Sequence, residues 1–232
     1  MKSKNDTIIL VYYPEIKTVS TNIGEYTSVD ISISNFSIMK TPYSEEELQS
    51  IKERWNAEGH LLDGEAYVNR YYRGESHFSP NPDFPNNLVN FIKDKIGTVD
   101  FIFIKYTRLN KMILEQLDGA GIKYCTAVPN SYLLNEWIGR LYQSNMPNDM
   151  LDKAIKDWDS DLKYLNNCPG PSFTIESNEY LDSPGIHHFQ GCRGTILDGI
   201  YNNCIRSEYT NKPDQFAKIE EDKDKENDYS RD

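Results

Sequence analysis

At 232 residues the chain is long enough for one full core with a tail, and its 16 Tyr, 9 Phe and 3 Trp supply bulky material for that core. A net charge of −11 argues against a broad electrostatic footprint on nucleic acid or on an anionic membrane. No run approaches the roughly 18 apolar residues that a membrane-spanning helix needs.

The opening Met1-Lys2-Ser3-Lys4-Asn5-Asp6 turns polar before a strand instead of entering the apolar stretch of a signal peptide, so a cytoplasmic protein is expected. Residues 7–13 then carry the run Ile8-Ile9-Leu10-Val11-Tyr12-Tyr13 up to Pro14, which predicts a buried strand. A second strand is predicted over 27–34, where Val29, Ile31 and Ile33 alternate with Ser28, Asp30, Ser32 and Ser34. Ser44-Glu45-Glu46-Glu47 reads as a capping box, with Leu48, Ile51 and Trp55 at helical spacing behind it and Gly59 as a stop.

A Tyr-rich segment at 67–72 leads into a loop over 74–87 that holds Pro80, Pro82 and Pro85. The next helix is predicted over 85–95, with Gly97 as its C-terminal cap. Residues 99–104 predict a further strand, 108–117 a helix ending at Gly119-Ala120-Gly121, and 122–128 a strand closed by Pro129. Strand, helix, strand at this spacing is a βαβ unit and implies a parallel sheet. Two helices follow over 130–142 and 147–166, with Pro147 suited to a first helical turn.

Residues 172–209 hold short strand-like and helix-like pieces that the pattern does not order. The stretch from 212 on carries 5 Lys/Arg and 8 Asp/Glu with few large apolar side chains, which predicts a solvated tail. The expected organisation is an α/β domain over 1–167, an extension over 168–211 and a disordered acidic tail over 212–232.

A buried first strand running into a loop and a helix is where α/β nucleotide enzymes hold phosphate, because the helix N-terminus offers unpaired N–H groups and a positive dipole end. That turn needs glycines so that backbone amides can wrap an anion, and a Lys to reach the terminal phosphates. Here it reads Tyr13-Pro14-Glu15-Ile16-Lys17-Thr18-Val19-Ser20-Thr21, with no glycine and with Glu15 opposed to phosphate.

On these residues the chain resembles the phage-encoded P-loop proteins of the nucleoside and nucleotide kinase type. Aligned on Tyr13-Pro14, the family's glycines fall on Glu15 and Lys17, its Lys on Thr18 and its Mg²⁺-binding Ser on Val19. Ser20 keeps its hydroxyl, and Lys17 stands one place early. The likeness continues at Asp30, Ser34, Phe36 and Ser37, and is sharpest at Asn81-Pro82-Asp83-Phe84-Pro85-Asn86-Asn87. It extends through Val128-Pro129, Arg140-Leu141-Tyr142 and Asp157-Trp158-Asp159, while Lys105-Tyr106-Thr107 replaces the family's Ser-Ser-His and Lys111 its Arg.

The resemblance implies a three-layer α/β sandwich with a mainly parallel sheet, P-loop kinase-like in order, plus an irregular C-terminal extension. It makes Pro14, Glu15, Lys17, Thr18 and Ser20 a degenerate nucleotide site. Phosphoryl transfer rests on loop amides, Lys and Mg²⁺ together. Their loss implies a pseudoenzyme that serves as a binding or assembly component, with another phage or host protein as partner in the host cytosol.

The alternative is a divergent nucleoside or nucleotide kinase using ATP and Mg²⁺, with Lys17, Lys105 or Arg140 in place of the lost loop. Candidate phosphate contacts are Asp30, Lys105, Arg108, Lys111 and Arg140, and Lys153 or Lys156 are candidate lid cations. Each of these cations equally suits a solvated helix start or a surface salt bridge.

Asp83 fits a helix cap as well as a ligand. Tyr67, Arg70 and Tyr71 fit either stacking on a base or partner, or helix packing. Cys125, Cys168, Cys192 and Cys204 form no Cys-x-x-Cys pair and read as reduced thiols. With His187 and His188 they match no familiar zinc spacing, so no metal is expected.

Overall fold

The apolar run after Thr7 forms β1 (Ile8–Tyr12), buried along its whole length. The computed structural model describes residues 6–14, 22–23, 26–107, 110–143, 146–179, 184–186, 193–213 and 215. Contacts divide the chain into two compact units, one of residues 33–87 and one formed by the segments before and after it.

In the larger unit β2 (Asn22–Ile23) pairs antiparallel with β3 (Tyr26–Ile31). In the smaller unit come the one-turn helix α1 (Ser34–Ser37), β4 (Ile38–Pro42), α2 (Glu45–Ala57), α3 (Gly64–Tyr71) and β5 (Ser76–Pro80). The chain then returns to the larger unit through α4 (Asn86–Lys95), β6 (Phe101–Lys105), α5 (Asn110–Gly119) and β7 (Cys125–Pro129). A 3-10 turn over Ser131–Leu133 precedes α6 (Leu134–Gln143) and α7 (Asn148–Asn166). Last come β8 (Ser172–Ile175), the paired β9 (Pro184–Ile186) and β10 (Arg193–Thr195), and α8 (Ile196–Arg206).

The large sheet has the order β2-β3-β6-β1-β7-β8, and all its pairings except β2 with β3 are parallel. Counted in chain order, its five parallel strands run 2-3-1-4-5. The burial of β1, β6 and β7 follows from this placement, since interior strands of a parallel sheet are covered on both faces and read as continuous apolar runs. β3 is buried only at its ends, Tyr26 and Ile31, and it lies toward the edge. Five parallel strands with intervening helices are compatible with a three-layer α/β sandwich.

Several local expectations shift. The second strand stops at Ile31, and Ile33 occupies the N-cap position of α1. The proline-rich stretch 74–87 contains β5, which pairs with β4 from Ile38↔Pro80 to Pro42↔Ser76. The pattern hid this pair because Pro80 ends it and most of its side chains lie at the surface. Pro147 is the N-cap of α7, not a first-turn residue.

The described residues of 172–209 are ordered by long-range contacts. β8 pairs parallel with β7, Thr126 opposite Ser172, and α8 starts on a capping box between Thr195 and Asp198. The irregular extension is therefore corrected in its described part: β8 is a strand of the main sheet, too short at four residues to announce itself by periodicity. Residues beyond 215, where the acidic tail was expected, lie outside the described residues.

In the smaller unit the capping box forms as read, Ser44 Oγ accepting from the Glu47 amide at 3.2 Å and Glu47 accepting from the Ser44 amide at 2.8 Å. Asp63 caps α3 through the amides of Glu65 and Ala66. Trp55 stacks on Tyr67 at 3.5 Å and on His60 at 3.8 Å between ring centroids, so Tyr67 is a packing residue. Asp83 receives the Asn87 amide on its backbone carbonyl at the start of α4.

Candidate functional site

In an open parallel sheet, ligands bind outside the carboxyl ends of the strands, where neighbouring strands send the chain in opposite directions. Here β1 leads toward β3 on one side and β7 leads to β8 on the other, so this switch point lies between β1 and β7. The chain leaving β1 is fixed there, with the Tyr13 amide donating to the Ala127 carbonyl at 3.0 Å. The Tyr106 amide donates to the Tyr12 carbonyl at 2.7 Å, which carries β6 one residue further beside β1.

A cavity of about 220 Å³ opens at this end. Its strand-side wall is Tyr13 and Pro14 from β1 with Tyr106 and Thr107 from β6. The opposite wall is one face of α7: Met150, Lys153, Ala154, Asp157 and Asp161 recur at helical spacing, and Met146 precedes them. The neighbouring stripe of α7, with Trp158, Leu162 and Leu165, is buried in the core. The period that packs the helix therefore also delivers two carboxylates and a lysine to the cavity.

Aromatic contacts hold the strand-side wall rigid. Tyr13 stacks beside Tyr106 at 6.2 Å and meets Trp158 edge-on at 5.3 Å. Trp137 Nε1–H donates to the Pro14 carbonyl at 2.6 Å, and Trp158 Nε1–H to the Ser131 carbonyl at 3.0 Å. Each buried indole thus has the acceptor it needs.

The Tyr106 hydroxyl donates to Asp161 Oδ1 at 3.2 Å. Burial, and then the charge and hydrogen bond of Asp161, push the Tyr106 phenol well above its ordinary value, so it stays protonated and remains the donor. Asp161 is only 7% exposed, and among the described residues that hydroxyl is its one partner. Lys153 is exposed at the rim without an ion pair among the described residues.

Of the residues singled out in the sequence, Pro14 and Lys153 line the cavity. Glu15, Lys17, Thr18, Ser20 and Arg108 lie outside the described residues. Asp30, near the end of β3, has both carboxylate oxygens 3.5 Å from the Tyr12 hydroxyl. Lys105 ends β6 opposite Tyr12, and Lys111 holds its ammonium 4.6 Å from the centre of the Tyr164 ring.

Arg140 is structural: it pairs with Glu136, donates to the Glu179 carbonyl at 3.2 Å and stacks 4.2 Å from the Trp137 ring, with its side chain 9% exposed. None of these four residues lines the cavity. Among the described residues no group of three or more His, Cys, Asp or Glu side chains is placed to hold a metal ion. Cys204 is buried and Cys168 half-buried, while His187, His188 and Cys192 lie outside the described residues.

The cavity residues missed by sequence reasoning are Tyr106, Met150 and Asp161. Asp161 carried a usable signal, standing four residues after Asp157 and eight after Lys153 on one helix face. Tyr106 carried none, because its role depends on β6 lying beside β1.

No family model, no curated protein and no solved structure matches the chain. Its fold defines a class: an α/β protein with a five-strand parallel sheet and a cavity at the carboxyl ends of the adjacent strands β1 and β6. Among the described residues no helix is long and apolar enough to cross a membrane.

Proposed function

We propose that the chain is a catalytically degenerate, nucleotide-kinase-like phage protein that acts as a binding component in the host cytosol rather than transferring phosphate. The strand order 2-3-1-4-5, with β1 central and its end at the switch point, supports kinase-like ancestry. The single observation that carries the loss of activity is the lining of the cavity, which among the described residues sets two carboxylates, Asp157 and Asp161, against one rim lysine.

A phosphate group brought there meets like charge in a setting that water screens poorly, whereas phosphoryl transfer needs amides, cations and Mg²⁺ around the migrating group. Tyr13, closed over by Tyr106 and Trp158, adds an aromatic wall where a phosphate site presents backbone N–H groups.

The test is thermal unfolding with and without millimolar Mg-ATP, together with transfer of labelled phosphate to a panel of nucleosides and nucleotides. No shift and no transfer are expected. Occupancy at about 100 times Kd would stabilise the fold by about 2.7 kcal/mol, so a rise in melting temperature of several degrees would instead support the divergent kinase.

A further inference from the structure

The cavity at the carboxyl ends of β1 and β6 is lined by two carboxylates and, among the described residues, one lysine. Its deepest charged group, Asp161, is more than nine-tenths buried, and the Tyr106 hydroxyl engages one of its oxygens. A phenol hydrogen bond leaves the carboxylate charge in place. A buried carboxylate is normally matched by a cation or a fuller set of donors.

Asp157 stands one helical turn earlier on the same face, with its Cβ roughly 5–6 Å from that of Asp161 by helix geometry. Among the described residues the one cation in the lining is Lys153, exposed one further turn out at the rim. Tyr13 and Tyr106 line the strand side of the cavity, and Met150 adds a soft apolar surface.

Deepening the reading of this site as a binding site without phosphoryl transfer, we propose that the cavity takes a small organic cation. Its charged nitrogen is held between Asp157 and Asp161, and its apolar body lies against Tyr13, Tyr106 and Met150. At about 220 Å³ the space is below that of a drug-sized pocket and suits a ligand of one ring. An amidine, guanidine or primary amine fits, because each supplies N–H donors that two carboxylates can accept at charge-assisted strength. A carboxylate or phosphate of the same size meets repulsion at the deep end and, among the described residues, one lysine at the mouth.

Benzamidinium, benzyl alcohol and benzoate share a ring and differ in charge, so calorimetric titration of each into the full chain reads the preference. Benzamidinium is expected to bind with a Kd of roughly 1 mM or tighter, and at least about tenfold more tightly than benzyl alcohol, with benzoate weakest. Asp161→Asn and Asp157→Asn should each weaken benzamidinium by roughly tenfold. Lys153→Ala should strengthen it.

Should Asp161→Asn fail to fold, Asp157→Asn on the more exposed residue decides. Benzamidinium binding no tighter than benzyl alcohol, a preference for benzoate, or equal affinity in wild type and Asp157→Asn overturns the proposal. A melting shift with Mg-ATP would overturn the degenerate-kinase reading instead, and that outcome is separate from the benzamidinium titration.

Discussion

At the amino end of the parallel sheet the chain supplies its own partners, whereas at the carboxyl end it leaves a cavity and a thinly partnered carboxylate. Before β1, Thr7 and Asn211 exchange backbone hydrogen bonds of 2.9 Å in both directions. The Thr7 hydroxyl donates to the Val99 carbonyl at 2.6 Å and accepts from the Gly97 amide at 2.8 Å. Asn211, fully buried, accepts from the Lys123 amide at 2.9 Å and donates to the Lys123 carbonyl at 2.7 Å.

Packing at that end is equally tight, since a Cβ on Gly170 would fall 1.9 Å from the Tyr124 carbonyl oxygen. At the carboxyl end, Asp161 has the Tyr106 hydroxyl alone among the described residues, beside about 220 Å³ of space. The contrast is that of a sheet whose amino end is filled by its own side chains and whose carboxyl end keeps open space beside a buried carboxylate.

The largest effect should come from Asn211→Ala. It strips the Asn211 side chain from the Lys123 amide and carbonyl and leaves a void at a fully buried position, so a loss of about 2–4 kcal/mol is expected in urea unfolding with an unchanged slope. A loss under about 1 kcal/mol would mean that the amino end is not held by this side chain, and the contrast between the ends would weaken.

The same two ends differ in how far the sequence reveals them. β1, β6 and β7 were legible because burial on both faces leaves an unbroken apolar run, and α2 because Ser44 and Glu47 cap it locally. Asn211 was illegible, as its partners lie 88 and 204 positions away and nothing near it in sequence encodes them. β8 failed for the same reason: Ser-Phe-Thr-Ile is too short for a period, and its place is decided by pairing with β7. The α7 face of the cavity could be read from Lys153, Asp157 and Asp161, yet its strand-side wall could not be, since it exists only where Tyr13 and Tyr106 are brought together by β1 and β6.

A middle-sized effect, dependent on pH, should mark the rim of the carboxyl end. Burial pushes the Glu136 carboxyl up, but the Asn178 amide, the Ser177 hydroxyl and Arg140 together outweigh it and hold the group below its ordinary value of 4.5. A carboxylate lowered on folding stabilises the protein above its unfolded value, and the contribution fades as pH falls through that value toward the lower folded one. Glu136→Gln should therefore destabilise at pH about 7 and approach wild type below about 4. Urea midpoints at both pH values check this, and a gap that widens on acidification would contradict it.

The smallest effect is expected at the bottom of the cavity. Asp161→Asn keeps an oxygen for the Tyr106 hydroxyl, removes a buried charge and turns its new N–H groups toward open space. Stability should change by no more than about 0.5 kcal/mol, or rise, because the charge that binding requires is a liability to the empty fold. Asn211→Ala costs several times more because it removes the side chain's hydrogen bonds and leaves a void at a fully buried position. If Asp161→Asn lost more than about 1 kcal/mol, Asp161 would be a structural partner of Tyr106 and the two ends would be alike.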